Sequence, residues 1–163
     1  MAANVGESPP TFTLPDGEFR PFPLKAYLGR PVLLAFVPAV FSPICTREIL
    51  ALQERLAALE TANVQVAGIS VDGPYALRAF ARQHGVAFPL LSDFHRETIQ
   101  AYDVEDTDFL GLRGVARRAT FLIDAEGIIR YRWVAEKPRV EPDYEDILRA
   151  VKALSTSRKG RDG

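Results

Sequence analysis

Residues 31–53 read PVLLAFVPAVFSPICTREILALQ, an apolar run followed by a short linker and a helical pattern. Six consecutive apolar residues at 32–37, without alternation, predict a strand that is covered on both faces. Ser42 is a favourable N-cap, and Pro43 suits the first helical position. Cys45 is therefore expected in the first helical turn, where unpaired backbone N–H groups and the helix dipole favour the reactive thiolate over the thiol.

The overall composition is that of a globular protein, with 47% apolar and 25% charged residues among 163. One domain is expected over residues 1–155, followed by a flexible tail at 156–163. The formal net charge of −1 provides no global field for nucleic acid or an anionic membrane. A single cysteine excludes an intrachain disulfide and fits a reducing compartment. No signal peptide or membrane span is recognisable, so a cytoplasmic location is expected.

Strand and helix patterns alternate along the rest of the chain. Strands are predicted at residues 32–37, 64–71, 88–91, 118–124 and 128–134, helices at 42–60, 74–84, 94–102 and 141–154, and a loop at 104–114. The order β-α-β-α-β-α-β-β-α predicts an α/β fold with a mixed central sheet, helices on both faces and an N-terminal hairpin within residues 11–23. A cysteine between the first core strand and a helix is the thioredoxin-like arrangement.

Three separated motifs resemble the peroxiredoxin family. The pattern Pro38-x-x-x-Ser42-x-x-Cys45 is similar to its active-site motif, with serine in place of the commoner threonine. FPLLSD at residues 88–93 and RRATFLID at residues 117–124 resemble two further segments of the family. With its lone cysteine, the chain looks most like the alkyl hydroperoxide reductase E group of one-cysteine peroxiredoxins. The resemblance implies a thioredoxin-like peroxiredoxin fold.

The same resemblance implies roles for five residues. Cys45 corresponds to the peroxidatic nucleophile, and Ser42 to the residue that hydrogen-bonds its sulfur and the peroxide. Pro38 corresponds to the residue that shields the thiolate from water. Arg118 corresponds to the arginine that holds the thiolate and the leaving oxygen, and Glu48 to the glutamate that orients this arginine.

Three of these roles have alternatives, and the arginine has a neighbour. Pro38 can simply end the preceding strand. Arg117 is adjacent, but Arg118 directly precedes Ala119, and strand alternation sends Arg117 to the opposite side. Glu48 can also be an exposed carboxylate on the helix surface. Ser42 can be only an N-cap, although one hydroxyl can accept a backbone N–H and donate its own hydrogen elsewhere.

The implied activity is the reduction of hydrogen peroxide and organic hydroperoxides, which converts Cys45 to a sulfenic acid. This chemistry requires Sγ to be reachable and close to Arg118. Leu50 stands where some relatives carry a resolving cysteine, so an external thiol, a glutaredoxin-like protein or thioredoxin must recycle the enzyme. No cofactor is implied, and the widely spaced histidines and cysteine offer no recognisable metal site. A homodimer is implied, without nucleic acid or membrane partners.

Other functions of a helix-start cysteine are open to the same sequence. A thioredoxin-type disulfide reductase needs Cys-x-x-Cys, where this chain has Ser42, and a proline where it has Ala119. A cysteine hydrolase would pair Cys45 with His84 or His95, but both histidines lie in polar stretches. A monothiol binding or thiol-transfer module on the same scaffold remains the alternative to a peroxidase.

Overall fold

One mixed sheet with helices on both faces organises the chain. The structure is a computed structural model that describes residues 3–162, with side chains for residues 3–155. In chain order the elements are β1 (Thr13–Pro15), β2 (Pro21–Pro23), α1 (Leu24–Tyr27), β3 (Val32–Phe36), α2 (Pro43–Glu54), α3 (Leu56–Thr61), β4 (Gln65–Ser70), α4 (Pro74–His84), β5 (Leu90–Ser92), α5 (Glu97–Ala101), β6 (Glu105–Asp106), β7 (Val115–Ala116), β8 (Ala119–Ile123), β9 (Ile129–Val134) and α6 (Tyr144–Asp162).

The strand derived from the apolar run, β3, lies at the centre of a five-stranded sheet of order β5-β4-β3-β8-β9. It runs parallel to β4 and antiparallel to β8. Strand β5 extends the parallel side, and β9 completes an antiparallel hairpin with β8. Strands β1 and β2 form a separate N-terminal hairpin. The predicted α/β order, mixed sheet and hairpin are confirmed.

Both faces of β3 are buried, as its continuous apolar sequence predicts. Leu34 and Phe36 belong to one core, which includes Tyr102. Leu33 and Ala35 belong to the other core, which also receives side chains of α2, α4 and α6. Successive side chains of a strand point to opposite faces, so a strand between two cores must be apolar at every position.

The register between β3 and β8 determines where the two predicted active-site segments meet. Phe36 pairs with Ala119, so Arg118 lies just beyond the pair, at the edge where the chain leaves β3 towards α2. Alternation along β8 gives Arg118 the same face as Leu122, which belongs to the core beneath α2. Arg117 is exposed, whereas Arg118 is buried.

The single helix predicted over residues 42–60 is wrong, because the structure breaks it at Arg55 into α2 and α3. The Arg55 backbone has φ −98° and ψ 0°, and its N–H donates to the Leu52 carbonyl at 3.1 Å. The Arg55 guanidinium donates to the Ala51 carbonyl at 2.9 Å. In a continuous helix this carbonyl would accept the backbone N–H of Arg55 instead. Neither glycine nor proline marks this break in the sequence.

Two other boundaries differ from the sequence prediction. The loop predicted at 104–114 contains β6, which pairs antiparallel with β7 immediately after it. Helix α6 spans Tyr144–Asp162 instead of residues 141–154. The flexible tail is expected at residues 156–163. The side chains of these residues, and all of Gly163, lie outside the described part of the chain, so the tail stays a prediction. The single domain over residues 1–155 also stays a prediction. Within the described residues, no helix combines the length and hydrophobicity that a transmembrane segment requires.

Candidate active site

The chain enters α2 through a tight turn at Phe41 and Ser42. Phe41 has φ +71°, a left-handed conformation that residues with side chains rarely adopt. Its half-exposed ring packs edge-on against Phe80 of α4, with ring centroids 5.1 Å apart. Ser42 occupies the N-cap position, and its carbonyl accepts the N–H of Thr46 at 2.9 Å. Cys45 therefore lies in the first turn of α2.

Asp72 attaches the segment before this turn to the end of β4. One of its oxygens, Oδ2, accepts the N–H of Val40 at 2.8 Å and the hydroxyl of Ser70 at 2.7 Å. The Ser42 hydroxyl donates to the Ala39 carbonyl at 3.1 Å, and within the described residues its side chain makes no capping hydrogen bond. Ser42 is thus an N-cap by position, while its side chain stabilises the preceding turn.

Cys45 and Arg118 are in direct contact although 73 positions separate them in the sequence. Arg118 Nη1 donates a hydrogen bond to Sγ over 2.9 Å, and Nε of the same guanidinium donates to the Pro138 carbonyl at 3.1 Å. Both side chains are buried, so water does not compete for this contact. A guanidinium fixed at Sγ stabilises a thiolate and offers further N–H donors to a neighbouring oxygen.

The structure buries the sulfur more deeply than the sequence predicts. The exposed fraction of Cys45 is 0%, and its neighbours in the core include Val40 and Ile49. The sulfur is therefore not directly exposed to solvent, and the requirement that it be reachable stays a prediction. Arg118 nevertheless gives the sulfur a charged partner, so hydrocarbon alone does not surround it.

A small cavity lies beside the guanidinium. It has a volume of about 110 Å³, and its lining includes Pro38, Phe109, Arg118 and Pro138. Pro38 itself is buried and contributes no N–H to this wall. A larger cavity of about 320 Å³ lies near Pro31, at the opposite end of β3 from Cys45.

Glu48 is buried one helical turn beyond Cys45, with 1% of its surface exposed. The alternative of an exposed helix carboxylate is therefore wrong. Its Oε1 lies 4.0 Å from Arg118 Nη1, which is too long for a hydrogen bond, and has no hydrogen-bond partner among the described residues. Burial raises the pKa of Glu48 to about 8, although Arg118 lowers it, and Glu141 adds to the rise. The protonated form of the carboxyl group is therefore favoured at neutral pH.

The segment leading into α6 packs over the start of α2. Glu141 accepts hydrogen bonds from Arg47 Nε at 2.7 Å and from the Tyr144 hydroxyl at 2.8 Å. Burial, and then the hydrogen bond to Glu141, raise the pKa of Tyr144, so its hydroxyl remains a donor. With the Pro138 carbonyl on Arg118, these contacts hold the segment against the site. The sequence analysis predicted a helix over residues 141–154 but assigned no role in the site to Pro138, Glu141 or Tyr144.

Neither histidine makes a hydrogen bond to the sulfur in the described part of the chain. His84 packs against the Phe80 ring, with centroids 4.6 Å apart, and His95 is exposed. The hydrogen bond that Sγ receives comes from Arg118, so the structure provides no Cys–His pair. Among the residues whose side chains are described, no group of three or more His, Cys, Asp and Glu is arranged to hold a metal ion.

Replacing Glu48 by Gln should alter how stability depends on pH. The folded protein keeps the Glu48 proton up to about pH 8, whereas an unfolded glutamate releases it near its ordinary pKa of about 4.3. The unfolded state binds fewer protons between these values, so the free energy of unfolding falls as pH rises through them. In Glu48→Gln this fall should shrink by roughly 5 kcal/mol, because each pKa unit of the shift corresponds to about 1.4 kcal/mol. Urea unfolding at several pH values measures it.

The matched control is Glu54→Gln, which changes an exposed carboxylate on the same helix. It should leave the wild-type pH dependence unchanged. Equal slopes of stability against pH for the wild type and Glu48→Gln would show that Glu48 is ionised in the folded protein.

Comparison with known proteins identifies the family. The AhpC/TSA family matches residues 5–132. Alkyl hydroperoxide reductase E of Mycobacterium tuberculosis is 37% identical over 155 residues, which cover 92% of this chain and 99% of that protein. The reduced 2-Cys peroxiredoxin of Plasmodium vivax superposes with a TM-score of 0.83 at 30% identity, covering 95% of this chain and 83% of its own.

A second solved structure agrees over the full length. Enterococcus faecalis AhpC gives a TM-score of 0.86 at 26% identity, covering 100% of this chain and 98% of that one. The predicted thioredoxin-like peroxiredoxin fold and the resemblance to alkyl hydroperoxide reductase E are confirmed. The chain belongs to the AhpC/TSA family and is a peroxiredoxin, an enzyme that reduces hydroperoxides with a thiol.

Proposed function

We propose that the chain is a one-cysteine peroxidase for hydrogen peroxide and organic hydroperoxides, with Cys45 as the attacking nucleophile. The observation that carries this proposal is the 2.9 Å hydrogen bond from Arg118 to Sγ at the start of α2. The guanidinium and the helix N-terminus both favour the anionic sulfur. A monothiol binding module would have no need of such a contact.

Substrate reaches the sulfur from the cavity beside Arg118. Its volume of about 110 Å³ admits hydrogen peroxide or the peroxide group of a small organic hydroperoxide. Pro38 forms an apolar wall that limits water there. Because the sulfur is fully buried, the side chains between it and the cavity move slightly when a peroxide enters.

The reaction is an in-line displacement on oxygen. The Cys45 thiolate attacks the terminal oxygen of HOOR, the S–O bond forms as the O–O bond breaks, and the products are Cys45 sulfenic acid and an alkoxide that is then protonated. Arg118 donates to the departing oxygen as its negative charge develops. The Ser42 oxygen, while donating to Ala39, keeps lone pairs that can accept the peroxide O–H. Glu48 helps to hold the Arg118 guanidinium in position and interacts with its positive charge.

Recycling of the sulfenic acid requires a thiol from outside the chain. Cys45 is the only cysteine, so no internal disulfide can form. A low-molecular-weight thiol, or a glutaredoxin-like or thioredoxin-like protein, attacks the sulfenic sulfur, releases water and leaves a mixed disulfide with Cys45. A second thiol then attacks this disulfide, releases the Cys45 thiolate and leaves the two reductant sulfurs joined as a disulfide. Such reductants are abundant in a reducing compartment, which supports a cytoplasmic location.

Removing the Arg118 guanidinium should slow peroxide reduction strongly. Arg118→Ala should lower the second-order rate constant of Cys45 oxidation by roughly 100-fold, as when one electrostatic donor to a transition state is lost. Arg118→Lys keeps the charge but loses the planar set of N–H donors. Its rate constant should therefore lie between those of the wild type and Arg118→Ala. Stopped-flow fluorescence of Trp133, the only tryptophan, follows the reaction.

The control for this series is Arg82→Ala, because Arg82 is 70% exposed on α4 and pairs with Glu18. It should react like the wild type, and Cys45→Ser should not react. A wild-type rate equal to that of free cysteine at the same pH would defeat the proposed function. A wild-type rate in folded Arg118→Ala would defeat the role of the arginine.

The electron donor can be found by measuring peroxide consumption with different reductants. Without a thiol, the wild type should consume peroxide only until Cys45 is oxidised. With a suitable thiol or thioredoxin-like protein it should turn over repeatedly, and excess peroxide should yield sulfinic acid by mass spectrometry. Turnover without any added reductant would contradict the one-cysteine mechanism.

We also propose a homodimer, supported by exposed apolar side chains near the active-site edge of the sheet. Phe41, Phe94, Leu110 and Leu112 are 47%, 60%, 77% and 56% exposed. The Arg96 side chain donates to the Gly114 carbonyl, which joins two of the loops that carry them. Sedimentation velocity should show a concentration-dependent dimer that Leu110→Glu weakens. A wild-type monomer at every concentration would exclude it.

A further inference from the structure

The displacement mechanism uses Glu48 only through its effect on Arg118, and it gives no role to the proton of this buried carboxyl group. Its Oε1 is buried and receives no hydrogen bond from the described residues. A carboxylate charge in such a place is unfavourable unless a cation or several donors balance it. The nearest guanidinium nitrogen, Arg118 Nη1, is 4.0 Å from Oε1 and donates instead to the Cys45 sulfur at 2.9 Å.

Each element packed against Glu48 contributes a charged or titratable group. Helix α2 supplies Cys45, the chain entering β8 supplies Arg118, and the segment leading into α6 supplies Glu141 and Tyr144. Glu141 already accepts from Arg47 and from Tyr144, so those groups balance one another. Two acids, Cys45 and Glu48, are thus left facing the single guanidinium of Arg118 in this part of the described structure.

We propose that Cys45 and Glu48 take turns as the anion that balances Arg118, with the charge on sulfur before peroxide reacts and on the carboxylate afterwards. This inference rests on the proposed peroxidase function and assigns Glu48 a charge-transfer role in it. Before reaction the site holds thiolate, guanidinium and carboxylic acid. After reaction it holds sulfenic acid, guanidinium and carboxylate. The net charge of the buried site is zero in both states.

The proton follows the charge. The Cys45 thiolate and HOOR give Cys45–SOH and RO⁻, and RO⁻ takes up the proton that Glu48 releases to give ROH. Sulfur is oxidised by two electrons, and the O–O bond is reduced by the same two. The carboxylate then pairs with Arg118, which turns from the neutral sulfenic acid. Glu48 therefore acts as the general acid that protonates the leaving oxygen, and its carboxylate then balances Arg118.

The consequence concerns the second oxidation of the sulfur. Over-oxidation requires the sulfenate anion, which attacks another peroxide: Cys45–SO⁻ and HOOR give Cys45–SO₂H and RO⁻. While Glu48 balances Arg118, the sulfenic acid keeps its own proton and reacts slowly. Where residue 48 cannot ionise, RO⁻ takes the proton of the S–OH group instead, and the sulfenate remains paired with Arg118.

Glu48→Gln tests the proposal, because the amide has nearly the same shape and cannot ionise. At neutral pH the first oxidation of the variant, measured by Trp133 fluorescence, should be slower than that of the wild type, because residue 48 no longer supplies a proton to RO⁻. Its yield of sulfinic acid per first oxidation, measured by mass spectrometry, should rise roughly tenfold, the factor that accompanies about one pKa unit of lost interaction. Glu48→Asp, which can still ionise, should restore a yield closer to that of the wild type. Glu54→Gln should match the wild type.

Infrared difference spectroscopy gives a second, independent readout. In the wild type, adding peroxide should remove a protonated-carboxyl band and create a carboxylate band as the sulfenic acid forms. Both changes should be absent from Glu48→Gln and from Cys45→Ser. An unchanged carboxyl band in a wild type that oxidises rapidly, or a wild-type sulfinic yield in Glu48→Gln, would each overturn the proposal. Slow oxidation of the wild type would instead overturn the peroxidase function itself.

Discussion

The contact between Arg118 and Cys45 depends on the register of two antiparallel strands. The guanidinium reaches Sγ because Ala119 pairs with Phe36 and residue 118 points to the face on which α2 packs. A slip of one residue would send the arginine side chain to the opposite core and bring Arg117 to the sulfur side. The buried apolar residues on both faces of β3 and β8 prevent such a slip. The hydrophobic cores therefore determine the chemistry of the site as well as the stability of the fold.

Burial determines the charge state of the polar groups around the sulfur. The Glu48 carboxyl lies near a guanidinium, yet the cost of taking its charge out of water exceeds the benefit of an arginine that makes no hydrogen bond to it. Asp72, by contrast, lies in a partly buried position and accepts two hydrogen bonds that hold the segment before the turn. The position of each carboxyl group relative to donors, rather than its residue type, decides what it does.

Local patterns in the sequence predicted the parts of the site that local geometry creates. The run at 32–37 predicted a strand with two buried faces, Ser42 and Pro43 predicted the start of α2, and alternation favoured Arg118 over Arg117. The contacts of Pro138 and Asp72 could not be predicted in this way, because they join segments distant in the sequence and one uses a backbone carbonyl. The burial of Glu48 likewise depends on the segment that later leads into α6.

The complete burial of the sulfur affects the selectivity of Cys45 among electrophiles. The Cys45 side chain has no exposed surface, and the nearby cavity measures only about 110 Å³. The size of a reagent therefore limits its access to the sulfur before its intrinsic reactivity affects the reaction rate. The O–O group of a peroxide can reach the sulfur with small side-chain displacements, whereas a bulky alkylating reagent needs a wider local opening. The rate of labelling by large maleimides would thus depend on local opening of the turn at Phe41 and Ser42. It would underestimate the nucleophilicity of the sulfur towards peroxides.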